Sequence, residues 1–174
     1  MRGWKAGVAA VAAWALVGAS DRPRDREPLV EEMLAAHNAV RAAVDVPPVA
    51  WDDRLAEDAQ DWADYMADTG RYEHSTFPRG RDPAGEGENM FRGTAGGYSI
   101  ADMVEFWTAE RRFFRDGAVP DISNSGRWQD VGHYSQMVWR TTTRVGCGVA
   151  SGRGYDYLVC RYSSPGNVMG RRAY

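Results

Sequence analysis

Two strand-like runs near the C-terminal end constrain this chain more than anything else in it. Arg144–Ala150 and Tyr155–Ser163 are rich in Val, Tyr and Leu, and Ser151-Gly152-Arg153-Gly154 between them has the composition of a tight turn. Runs of this kind pair most simply as an antiparallel hairpin. Each run carries one of the chain's two cysteines, Cys147 and Cys160. The hairpin would set them opposite one another or one pair off. A sheet built on it needs helices to cover its apolar faces, and the earlier part of the chain supplies them.

The first twenty residues stand apart from that fold. Arg2 and Lys5 precede the apolar run Ala6–Val17, and the small residues Gly18, Ala19 and Ser20 follow. This is the pattern of a secretory signal peptide over 1–20. The run is short for a bilayer span of roughly 20 residues, with an uncleaved anchor as the alternative, and the mature chain holds no other transmembrane candidate. Residues 21–28 alternate charge and proline and read as a disordered leader, which leaves 29–174 as a single domain. Export, to the extracellular space or the periplasm, favours a Cys147–Cys160 disulfide over two buried free thiols. Losing Arg2 and Lys5 with the leader takes the formal net charge from −3 to −5. An acidic domain of this kind is poorly suited to nucleic acid or anionic lipid surfaces.

Helical periodicity begins at Leu29. Met33, His37, Val40 and Val44 recur on one face, so His37 lies on a buried stripe, where a lone histidine usually bonds to backbone. Asp45–Pro48 ends that helix. Asp52 or Asp53 caps a second, with Leu55, Ala59, Trp62, Ala63 and Met66 on its apolar face and Thr69-Gly70 as its stop. Residues 71–92 read as loop, with Asn89-Met90-Phe91 able to enter a strand. Ser99 and Asp102 form a capping box at the start of a third helix, whose stripe is Ile100, Met103, Val104, Trp107 and Phe114. Glu110 falls on that same stripe. A carboxylate on a buried face costs several kcal/mol unless it is paired or hydrogen-bonded. After a polar loop, the aromatic run Val131–Arg140 reads as a helical turn or two presenting His133, either to a cavity or as a hydrogen-bonded core histidine.

The residues with chemical potential are therefore His74, Glu88, Glu110 and His133. Neutral imidazoles suit zinc or another borderline divalent ion, and glutamates can orient a water or accept protons. Their spacing does not by itself bring them together. The chain has neither His-Glu-x-x-His nor Gly-x-Ser-x-Gly.

Four motifs carry a resemblance to a known family. His37-Asn38-Ala39-Val40-Arg41, Gly87-Glu88-Asn89, Gly132-His133-Tyr134-Ser135-Gln136-Met137-Val138-Trp139 and Cys160-Arg161-Tyr162-Ser163-Ser164-Pro165-Gly166-Asn167 follow in that order. Together they resemble the CAP superfamily, or SCP domain, of cysteine-rich secretory proteins, insect antigen 5 and plant pathogenesis-related class 1 proteins. The resemblance runs from about Leu29 to Tyr174. It implies a three-layer α-β-α sandwich with a small antiparallel sheet and a groove on one side. It also implies that His74 and His133 are the family's paired histidines, as metal ligands, and that Glu88 and Glu110 are its paired acids, as candidate catalytic groups. With one cysteine pair and no cysteine-rich module, the chain resembles a minimal member of bacterial type.

Three functions follow as expectations. The first is a secreted, non-enzymatic protein whose His/Glu tetrad holds a divalent metal, possibly zinc, beside a lipid, sterol or peptide ligand. The second is a metal-dependent, peptidase-like hydrolase with Glu88 or Glu110 as general base. The third is a structural or signalling exoprotein whose tetrad only stabilises the fold. The first is preferred.

Overall fold

The computed structural model describes residues 23–75 and 85–174. The expected signal peptide, residues 1–20, lies outside them. The order is α1 (Pro23–Ala42), β1 (Ala50–Trp51), α2 (Asp53–Thr69), β2 (Gly87–Thr94), α3 (Ile100–Thr108), two 3-10 helices (Ala109–Phe113 and Trp128–Val131), α4 (Gly132–Met137), β3 (Arg144–Gly152) and β4 (Tyr155–Ser163). No helix among the described residues is long and apolar enough to cross a membrane.

The hairpin is the centre of a four-stranded sheet of order β1-β3-β4-β2. Cys147 stands directly opposite Cys160, and the two form a disulfide. The antiparallel expectation holds for β2, β3 and β4. The two-residue β1, which is too short to leave a periodic signal, adds to β3 in parallel. Beyond it the outer edge of β3 is closed by Gln60, whose amide accepts from Val149 N–H and donates to Val149 carbonyl.

Alternation along the strands separates the two faces. Tyr157 and Val159 of β4 pack with Met90 against Ala59, Trp62, Ala63 and Met66 of α2. Leu158, Cys160 and Tyr162 face the other way, toward Met33 of α1, Met103, Val104 and Trp107 of α3, and Met137 of α4. The result is the α-β-α sandwich. A third cluster, Val119, Ile122, Val131, Tyr134, Val138, Trp139 and Ala173, lies outside the sheet and ties the C-terminal tail to α4.

Capping follows the expected chemistry. Asp52 accepts from Arg54 and Leu55 N–H at the start of α2, and Gly70 ends that helix in the left-handed conformation. The Ser99–Asp102 capping box opens α3. Two boundaries differ from the sequence reading. α1 starts at Pro23, so most of the expected disordered leader 21–28 is helical, with residues 21 and 22 outside the described set. Proline is well suited to a first helical turn, whose N–H groups have no intrahelical acceptor. α3 ends at Thr108, before Glu110, and the chain tightens into a 3-10 helix there. Glu110 is therefore released from the buried stripe on which α-helical periodicity placed it.

Candidate functional site

Glu110 reaches from the 3-10 helix Ala109–Phe113 to the first turn of α4. One carboxylate oxygen accepts the His133 Nδ1–H at 2.6 Å. The other accepts the backbone N–H groups of His133 (2.9 Å) and Tyr134 (3.1 Å). Amides in a first helical turn lack an intrahelical acceptor, so Glu110 caps α4 from a neighbouring element. The indole of Trp107 lies nearly parallel to the His133 ring, 5.9 Å between centroids. The carboxylate that looked anomalous on a helix face is thus satisfied three times over.

Glu88 makes the second hub, on β2. It accepts from His74 Nδ1–H (2.6 Å), Ser75 N–H (3.2 Å) and Ser75 Oγ–H (3.0 Å), which pins the segment after α2 to the sheet. Across the sheet, Arg161 of β4 is the register partner of Glu88, and its Nη2 lies 3.0 Å from the carboxylate. Burial pushes the Glu88 carboxyl up. The hydrogen bonds from His74 and Ser75 and the charge of Arg161 outweigh it, so the group sits below the ordinary glutamate value.

His74, Glu88 and His133 line one cleft of about 230 Å³ with Asn89, Trp128, Gln129, Gly132 and Asn167. Glu110 stands behind His133. Polar bonds fix the cleft's walls: Asn89 donates to the His133 carbonyl (3.1 Å), and Asn167 donates to the Gly132 carbonyl (2.9 Å). Gln136, buried behind them, accepts from Gly166 N–H at 2.8 Å and donates to Thr142 Oγ1.

The expected metal site is corrected by this arrangement. Among the described residues, no group of three or more His, Cys, Asp or Glu could hold a metal ion. The four residues resolve into two separate His–Glu pairs, each with its Nδ1 already spent on a carboxylate. Glu110 accepts from three N–H donors, and Glu88 is already paired with the charge of Arg161. The expectation of a metal-loaded tetrad with a ligand beside it is overturned by that finding.

The sequence reading passed over Trp128, Gln129 and Asn167 as wall residues and Arg161 as the partner of Glu88. Arg161 did leave a signal. It is the one charge between Leu158 and Tyr162 of a strand otherwise apolar there, the same anomaly that drew attention to Glu110. Trp128 and Gln129 belong to a single 3-10 turn, Trp128–Val131, too short for a periodic signal, and left none.

Comparison with known proteins gives a consistent picture. A family model described as the cysteine-rich secretory protein family (CAP) matches residues 34–162. A pathogenesis-related protein of PR-1 type from Sambucus nigra is 36% identical over 145 residues, 83% of this chain and 81% of that protein. Pathogenesis-related protein 1C from Nicotiana tabacum is also 36% identical over 145 residues, covering 83% and 80%. A crystal structure of NaASP2 with Zn2+ superposes with a TM-score of 0.68 at 25% identity, covering 83% of each chain. Hookworm platelet inhibitor superposes at 0.64 and 22% identity, over 85% of this chain and 75% of that one. The two plant relatives carry the names of pathogenesis-related proteins.

Proposed function

The chain belongs to the cysteine-rich secretory protein (CAP) family, and on that premise we propose that it is a non-catalytic exoprotein, structural or signalling in role, whose two His–Glu pairs hold the cleft in shape. Residues 29–174 act as the one domain, exported behind the leader at 1–20 to the extracellular space or the periplasm. The observation that carries this reading is the use made of the two carboxylates. Glu110 joins a 3-10 helix to α4, and Glu88 joins the segment after α2 to β2 and β4. A general base needs a free lone pair facing its substrate, and these oxygens are taken up in joining elements.

The test is Glu110→Ala, read in two assays. Removing the carboxylate strands the His133 and Tyr134 N–H groups, a loss of about 2 kcal/mol. That corresponds to a fall in melting temperature of roughly 4–8 °C for a domain of this size. Broad peptide and ester profiling of the wild type should show no turnover that depends on Glu110 or His133. Turnover that disappears in both Glu110→Ala and His133→Ala would overturn the proposal, as would an unchanged melting temperature.

A further inference from the structure

A second groove, about 430 Å³, lies along the outer face of α3 and shares no residue with the His/Glu cleft. Its walls are Gly97, Tyr98, Asp102, Glu105, Phe106 and Ala109. Tyr98 and Phe106 are 39% and 53% exposed, although their rings meet edge to face at 5.7 Å. Both rest on the nearly buried Phe91, at 5.4 and 5.1 Å. The floor is preformed, because Gly93 of β2 leaves space that a Cβ, 2.5 Å from the Tyr98 ring, would occupy. Two carboxylates stand at the rim. Asp102 Oδ2 is engaged by Ser99 and Glu105 Oε2 by Thr108 Oγ1. Among the described residues, no Arg, Lys or His lines the groove.

We propose that this groove docks a flexible segment of a partner protein through one arginine or lysine side chain flanked by an aliphatic residue. Charge complementarity selects the occupant. Two carboxylates beside exposed aromatic faces, with no cation of their own, attract a cation that can also lie on a ring. A guanidinium does both, stacking on Phe106 or Tyr98 while its N–H fork reaches Glu105 or Asp102. An acyl chain would desolvate the carboxylates without pairing them, and an acidic segment would be repelled. The volume holds two or three side chains, more than a bare ammonium head needs. Unlike the reading of the His/Glu cleft, this proposal depends on neither histidine, so either can fail alone.

The experiment titrates the mature protein with acetyl-Leu-Arg-Leu-amide and follows the backbone amide of Gly97 by NMR. Peptides with norleucine or glutamate in place of arginine serve as comparisons. The arginine peptide should bind about tenfold tighter than either. Glu105→Gln and Phe106→Ala should each weaken it by about fivefold or more, and raising the ionic strength should weaken it further. Glu105 and Phe106 are exposed, so both variants should keep the wild-type circular dichroism; if Phe106→Ala does not fold, Glu105→Gln decides alone. Equal affinity for the norleucine peptide would overturn the proposal, and so would affinity unchanged in Glu105→Gln. Tetramethylammonium binding as tightly as the peptide would reassign the groove to small organic cations. Self-association abolished by Phe106→Ala would reassign it to a second copy of this chain. Both results would overturn the partner-segment proposal.

Discussion

At the scale of single residues, two histidines line the cleft and the third makes the fold sensitive to acid. His37 is fully buried on α1, where its Nδ1–H donates to the Met33 carbonyl at 2.7 Å. Its Nε2 is therefore the acceptor for Tyr162 O–H at 2.9 Å. Burial, against the Met33 hydrogen bond and with Arg41 nearby, lowers its pKa from 6.5 to about 4. The unfolded chain takes up this proton first, so the stabilisation is complete above about pH 6.5 and is lost as pH falls toward 4. The loss is about 3 kcal/mol across that window. Urea denaturation from pH 7 to 4 should show the decline, and His37→Gln should flatten it while lowering stability at pH 7. A profile of the same slope in the variant would assign the acid sensitivity elsewhere. The same reasoning identifies Arg161 as a support for Glu88. Arg161→Met leaves a buried carboxylate with one cation fewer, at a cost of about 3–5 kcal/mol, to be read from the shift in denaturation midpoint.

At the scale of elements, the contact between α2 and β3 depends on what β3 lacks. Gly146, Gly148 and Gly152 present backbone to the helix, and a Cβ at Gly148 would lie 2.5 Å from both the Cα and the backbone nitrogen of Gln60, which cannot yield as a side-chain end could. Gly148→Ala should therefore lift α2 off the strand and cost about 1–3 kcal/mol, while also loosening the Gln60 amide from Val149. Faster hydrogen exchange at Val149 would report that loosening, and unchanged exchange would count against it. The helices and the hairpin were legible in the sequence because period and capping are local. Asp52, Gly70, Ser99 and Asp102 announce their helix ends within a few residues. The glycine strip was visible as composition but not as contact, because nothing local says which helix covers a strand. Glu110 shows the same limit. Its anomaly was readable and the family resemblance set it in one tetrad with His133, but α-helical periodicity was carried two residues past the end of α3, so its direct bond to the first turn of α4 was not.

At the scale of the whole molecule, Arg41 joins parts of the chain that lie about a hundred residues apart. It is buried, among the described residues it has no carboxylate against it, and its guanidinium donates to the carbonyls of Pro47 (2.7 Å), Met137 (2.9 Å), Trp139 (2.9 Å) and Thr142 (2.8 Å). Burial lowers its pKa to about 10, so it stays charged at neutral pH. Met137 and Trp139 lie at the end of α4, where the last carbonyls lack intrahelical partners and carry the negative end of the helix dipole. One side chain thus fastens α1 to the segment that positions His133, and through the third cluster to the tail, where Arg140 N–H donates to the Ala173 carbonyl. The motif containing Arg41 was readable, but its partners lie far along the chain and no spacing links them. Arg41→Met keeps the apolar stem and leaves four carbonyls unpaired, so about 3–5 kcal/mol should be lost. Arg41→Lys should recover only part of that, because a single ammonium has three donors and no planar fork to span them. If the fastening acts as described, both variants should broaden the NMR signals of His133 and Ala173 together. Broadening confined to α1 would mean that Arg41 stabilises its own helix and nothing beyond it.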